Sequence, residues 1–270
     1  MSQQPVAYDL HLHTEFSPDS TTPLDVYAKA ADKLSLHIGF LDHFELAFLD
    51  RVDYLTYDRF PQLLEAFDCV HTEYPRTSIG LEVDYYSDLA PEVAEFCDDY
   101  RSDFNYFIGV VHTVDRYAVT VLEEMKALVT QIGLRKALET YFNEVEAAIQ
   151  SRLFSGIAHI DGVMRFVPLF PGSTKLESLW YTRTKELCIL CQKLDILIEV
   201  NLRGLNHPWG QIHPTFSLIN ELIKERAKFY VGSDSHSLND FQKAVPLLNK
   251  MHAFLTDHDS LGLPRALENG

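Results

Sequence analysis

A chain of 270 residues, 46% hydrophobic and 23% charged, has enough apolar material for one large buried core, and α/β barrels reach this length as a single domain. Its formal charge of −16 argues against a nucleic-acid partner, because phosphate backbones are bound by basic surfaces. Residues 1–5 lack the basic and apolar segments of a secretory leader, and no apolar run approaches the roughly 18 residues that cross a bilayer, so a cytoplasmic protein with no membrane partner is expected.

The first strand is expected at residues 6–11, running into Asp9-Leu-His11-Leu-His13-Thr14. Alternate residues of a strand share a face, so His11 and His13 project together while Leu12 points the other way. Two imidazoles so placed can grip one metal ion, or they can be a pair exposed at a loop edge; this segment alone leaves both open. A loop through Asp19 leads to a helix with Thr22 as N-cap, Pro23 in the first turn and Leu24, Tyr27, Ala28 and Ala31 on one face.

Short β-branched or aromatic runs then alternate with longer amphipathic ones, the pattern of βα units around a parallel sheet. Strands are expected at 37–41, ending in Asp42-His43; at 77–81, ending in Glu82-Val-Asp84; at 106–111, ending in His112; at 155–158, ending in His159; at 196–200, ending in Asn201-Leu-Arg203; and at 228–232, ending in Ser233-Asp234-Ser-His236. Between them lie expected helices at 59–73, from Pro91, at 122–152 with an interruption at Gly133, at 174–193 and at 214–226, and a last one from about Asn239. No linker, repeat or low-complexity tract divides the chain, so residues 1–270 read as one domain.

Six of the seven expected strand ends carry a His, Asp or Glu. In βα barrels these ends converge on one face, so ligands far apart in sequence meet in space. His37, His71, His207, His213, His252 and His258 need no metal role, and Cys188-x-x-Cys191, set in a helical pattern with no second pair, reads as core packing.

Taken together, Asp9-Leu-His11-Leu-His13, Leu41-Asp-His43, Gly80-Leu-Glu82, Gly109-Val-Val-His112, Ile157-Ala-His159 and Gly232-Ser-Asp234-Ser-His236 resemble the PHP phosphoesterase superfamily over nearly the whole chain. The resemblance implies a distorted seven-stranded (β/α) barrel and three divalent transition-metal ions, zinc, manganese or iron. It implies that His11, His13, Glu82 and Asp234 hold the first ion, that Glu82, His112 and His159 hold the second with Glu82 as bridge, and that Asp19, His43 and His236 hold the third. Asp19 departs from the histidine of other members and rests on its spacing from His13; a carboxylate there favours a harder ion such as manganese or iron.

Such a cluster suits phosphate ester hydrolysis. Adjacent ions lower the pKa of a bridging water to give hydroxide and bind the phosphoryl oxygens; Asp19, Glu82 and Asp234 against three dications leave about three positive charges to receive a phosphate dianion. The segments 159–166 and 199–205 resemble the histidinol-phosphatase branch, which implies a small-molecule phosphate ester as partner and Arg165 and Arg203 as the phosphate clamp, since guanidinium presents a planar donor fork. No residue is assigned as general acid. Alternatives are another phosphomonoester or a nucleotide; an amidohydrolase, which would use a carbamylated lysine that no strand end here supplies; and a metal-stabilised binding module without catalysis.

Overall fold

The computed structural model describes residues 7–48 and 55–268; Val6, the expected start of the first strand, lies outside them. Seven strands among the described residues form one parallel sheet: β1 (Tyr8–Leu12), β2 (His37–Phe44), β3 (Thr77–Asp84), β4 (Tyr106–Val110), β7 (Gly156–Ile157), β8 (Leu197–Asn201) and β9 (Phe229–Gly232), paired in that order. The set closes from β9 back to β1 at the C-terminal ends. Leu12 bridges Ser235, the His13 N–H donates to the Ser235 carbonyl at 3.0 Å and the Asp234 N–H to the His11 carbonyl at 2.9 Å. Asp9, fully buried, adds a side-chain acceptor to this seam, taking the Ser233 N–H at 2.8 Å. The expected (β/α)7 barrel is therefore the fold.

Strands covered on both faces read as near-continuous apolar runs, and all eight residues of β3 are buried. Outside the barrel lie α1 (Leu24–Lys33), α2 (Phe60–Glu73), α3 (Ala90–Asp99), α4 (Leu122–Ile132), α5 (Leu134–Ser151), α6 (Glu177–Leu194), α7 (Phe216–Lys224) and α8 (Leu238–Asp257). Inside it, Leu10, Leu41, Tyr106, Ile108, Val110, Ala158 and Tyr230 form a separate apolar cluster. The Tyr106 ring fills the space that Gly39 and Gly80 leave; a Cβ at Gly39 would lie 1.9 Å from the Tyr106 hydroxyl. This plug gives the polar site above it a dry floor.

Strict alternation would put Leu10 and Leu12 on one side, yet Leu10 belongs to the inner cluster and Leu12 to the outer core. The β1–β2 register slips between Asp9 and Leu12, and the extra residue of such a bulge re-aims the side chains that follow. That slip turns His11 and His13 inward above Leu10.

Three local expectations change. Thr22 does not cap α1: Pro23 occupies the N-cap position and no side chain caps it. The helix expected from 174 starts as a 3-10 turn, Ser173–Leu176, before α6. Past His112 the chain makes a small hairpin, β5 (Thr113–Val114) and β6 (Tyr117–Ala118), turned by Asp115 and Arg116 at positive φ, too short to leave a periodic signal. No helix among the described residues is long and apolar enough to cross a membrane.

At the other end of the barrel the Tyr8 ring lies between His37 and His252, at centroid distances of 4.9 and 5.7 Å. Burial pushes His252 down to about 4; burial, His71 and Arg76 push His37 down to about 4. Both rings stay neutral in the folded chain, whereas unfolded histidine protonates near 6.5. Their contribution to stability is full above pH ~6.5 and is lost as pH falls toward 4, by up to about 1.4 kcal/mol per pH unit for each ring. His252→Gln is expected to narrow the gap between urea midpoints measured at about pH 7.5 and about pH 5; an unchanged gap contradicts this account.

Candidate metal centre

Glu82, on β3 and wholly buried, is the hub of the site. Its Oε1 lies 3.1 Å from His159 Nε2, 3.5 Å from His11 Nε2 and 3.9 Å from His112 Nε2; its Oε2 lies 2.7 Å from His43 Nδ1 and 3.8 Å from His13 Nε2. Around this carboxylate the candidate ligands gather in overlapping groups that differ from the expected sets, His43 lying with Glu82 and His112 where His159 was expected. His11, His13 and Asp234 form one cluster of mutually close donor atoms, His43, Glu82 and His112 another, His13, Asp19, His43 and His236 a third, and Glu45, Asp84 and His112 a fourth. Asp19 reaches His236 Nε2 at 2.9 Å and His43 Nε2 at 3.7 Å, so the carboxylate identified only by spacing sits with its expected partners. All nine residues converge at the C-terminal ends of the strands and the loops that follow. Asp234 takes a left-handed backbone, φ 53°, and strained conformations of this kind gather at functional sites.

The donor atoms face one another rather than hydrogen-bond partners. The Nε2 atoms of His11 and His13 are 3.0 Å apart, and the adjacent Glu82 Oε2 and His43 Nδ1 are buried without a well-aligned hydrogen bond. Convergent imidazole nitrogens and carboxylate oxygens are the donor set of divalent transition ions.

A second set of residues fixes which nitrogen of each ring faces inward. His11 Nδ1 pairs with Glu199 Oε1 at 2.6 Å, and Glu199 Oε2 also accepts the His159 N–H at 2.8 Å and Asn201 Nδ2 at 3.0 Å. His112 Nδ1 pairs with Asp84 Oδ2 at 2.7 Å. Ser17 donates its hydroxyl to Asp42 Oδ1 at 2.6 Å, which leaves Ser17 Oγ to accept from His13 Nδ1 at 3.1 Å. Each arrangement turns Nε2 toward Glu82. Glu199 has room because Gly232, the β9 partner of Asn201, has no side chain: a Cβ there would lie 2.1 Å from Glu199 Oε1. The sequence reading assigned no role to Glu199, Asp84, Asp42 or Ser17. A carboxylate inside the apolar run of residues 196–200 was the available signal, since an acid in a doubly covered strand needs a partner.

The charges reinforce the assembly. Burial opposes ionisation of Glu82, yet His11, His112 and His43 hold it well below the usual carboxylate range; Asp234 is held down against its burial by His11, His13, His236 and Arg203. Burial opposes a charged His112, but Asp84 and Glu82 push it up to about 9. His13 moves the other way, driven well down by burial and by His236 and His43. So many opposed charges in one buried volume are what a bound cation would settle.

The site opens into a cavity of about 420 Å³ whose lining includes Arg116, Arg165, Arg203, His207, His213, Glu45, Thr113 and Glu124. Arg203 donates to the Asp234 carbonyl at 2.9 Å. Arg165 has a buried Nε with no hydrogen-bond partner, burial lowers its pKa, and its guanidinium, 5.6 Å from the Phe166 ring centre, lines the cavity with Arg116 and Arg203. Glu199→Gln keeps the shape of the side chain and removes its charge. It is expected to weaken divalent-metal uptake roughly 10- to 100-fold, read by elemental analysis after chelation and reloading; unchanged uptake would remove Glu199 from this role.

Residues 9–202 match the PHP domain family. The histidinol-phosphatase of Bacillus subtilis is 27% identical over 258 residues, covering 86% of this chain and 94% of its own. Among solved structures, HisK of Listeria monocytogenes superposes with a TM-score of 0.80 at 19% identity, over 89% of this chain and 99% of its own. The histidinol phosphate phosphatase of Lactococcus lactis, solved with zinc, L-histidinol and phosphate, gives 0.64 at 19% identity, over 90% and 93%. With a domain match spanning most of its length and a barrel of the same architecture, this chain belongs to the PHP domain family.

Proposed function

We propose that this chain is a metal-dependent phosphomonoesterase that hydrolyses L-histidinol phosphate to L-histidinol and inorganic phosphate. The observation that carries the reading is Arg165, its Nε buried without a hydrogen bond, lining the same cavity as the donors around Glu82. The names and ligands of the similar proteins support the substrate.

His11, His13, Glu82 and Asp234 would hold a first ion, Glu82, His112 and His159 a second, and Asp19, His43 and His236 a third. The mixed nitrogen and oxygen donors suit zinc, manganese or iron. When bound, such ions supply a hydroxide nucleophile near neutral pH and offset charge on the phosphoryl oxygens. Arg165 and Arg203 orient the phosphate through charge-assisted hydrogen bonds. His207 lies beside them, and burial together with Arg165 and Arg203 pushes it down to about 3, so it adds polarity to this wall without adding charge. Glu45 and Glu124, also on the cavity, suit an ester whose alcohol portion carries an ammonium group.

Steady-state comparison of histidinol phosphate with p-nitrophenyl phosphate, nucleoside monophosphates and a dinucleotide tests the assignment. The highest kcat/KM is expected on histidinol phosphate, and comparable or better values on the other esters overturn it. Arg165→Ala is expected to lower kcat/KM roughly 10- to 100-fold, the loss of a charge-assisted hydrogen bond worth about 1.5–3 kcal/mol, with metal content retained. Loss of metal in that variant would contradict its placement on the phosphate.

A further inference from the structure

Hydrolysis of an alkyl phosphate needs one component still without an owner, a proton donor for the departing oxygen. An alkoxide is a poor leaving group, and a positioned acid typically contributes 10²–10⁴ in rate. The donor must line the cavity and be free of metal and phosphate duties.

His213 meets these requirements. It lines the cavity and makes no hydrogen bond to any of the nine candidate metal ligands among the described residues. Its Nδ1 lies 2.7 Å from Asp161 Oδ1, and Asp161, wholly buried, accepts the Trp180 indole N–H on its other oxygen at 3.1 Å. The backbone of His213 is locked to Asn201 by two hydrogen bonds of 2.8 and 3.0 Å. Its ring is walled by Trp209 at 4.7 Å and packs against Gly204, where a Cβ would lie 2.8 Å from Nε2. The ring is fixed in place, its Nδ1 proton is committed to Asp161, and Nε2 is the nitrogen left for a ligand. The His159 ring is 6.4 Å away between centroids, so His213 stands beside the reacting centre without belonging to its donor set. His207, the other uncommitted histidine on the cavity, is kept neutral by burial and by the two arginines.

We propose that His213, positioned by Asp161, protonates the leaving-group oxygen. As the hydroxide oxygen bonds to phosphorus, the bond from phosphorus to the ester oxygen breaks and its electron pair stays on that oxygen. The oxygen takes the Nε2 proton and leaves as the free alcohol. The ring enters this step as imidazolium with a proton on each nitrogen and leaves it neutral, its Nδ1 proton still hydrogen-bonded to Asp161, and water restores the Nε2 proton. This step rests on the phosphomonoesterase reading.

The test compares histidinol phosphate, whose alkoxide needs a proton, with p-nitrophenyl phosphate, whose phenolate does not, in wild type, His213→Gln and Asp161→Asn. For His213→Gln the ratio of kcat on the alkyl ester to kcat on the aryl ester is expected to fall roughly 10²- to 10⁴-fold, with metal content equal to wild type; Asp161→Asn shifts the ratio in the same direction by less. Equal losses on both esters, or loss of metal from His213→Gln, would overturn the proposal. A wild type that cleaves neither ester removes the phosphomonoesterase reading together with this step, whereas a wild type that cleaves both with an unchanged ratio in His213→Gln removes this step alone.

Discussion

One buried carboxylate organises this molecule. Glu82 has no exposed surface, and the ring nitrogens of five histidines lie within 3.9 Å of its two oxygens. An isolated carboxylate could not be held ionised at such depth, because desolvation would neutralise it. The histidines come from different strand ends, so the requirement to surround Glu82 is also a requirement that the barrel close with β1, β2, β4 and β7 in their observed order. The seam of β1 and β9, where Asp9 takes the Ser233 N–H, brings His11 and Asp234 to the same place.

The surrounding design is layered. An apolar plug of Leu10, Leu41, Tyr106 and Tyr230 seals the barrel below the site. At its level, Glu199, Asp84 and the Ser17–Asp42 pair fix the histidine rings by their outer nitrogens. Above it, the cavity is lined by Arg116, Arg165 and Arg203 and by Glu45 and Glu124. The lower layers narrow the chemistry: the floor is apolar, and the outer hydrogen bonds set the tautomers.

Much of this was legible in the residues because barrel topology turns a linear pattern into a spatial one. Strand ends carrying His11, His13, His43, Glu82, His112, His159, Asp234 and His236 meet wherever seven parallel strands close, so their clustering needed only the strand order. Even Asp19, outside any strand, was placed by its distance along the chain from His13. What stayed hidden depends on neighbours rather than on spacing. The role of Glu199 requires knowing that β8 lies next to β9 and that Gly232 leaves it room. The slip in β1 that separates Leu10 from Leu12 is a matter of pairing with β2, and His213 with Asp161 brings together residues 52 apart along the chain. The hairpin of β5 and β6 is held by two pairs of residues, less than a periodic signal needs.

The central claim is that Glu82 joins metal binding and phosphate chemistry in one site. Glu82→Ala, purified beside wild type and measured for bound zinc, manganese and iron and for histidinol phosphate turnover, tests it most directly. The account predicts loss of metal and of turnover together, with the barrel still folded by circular dichroism. A Glu82→Ala protein that retains full phosphatase activity would contradict it.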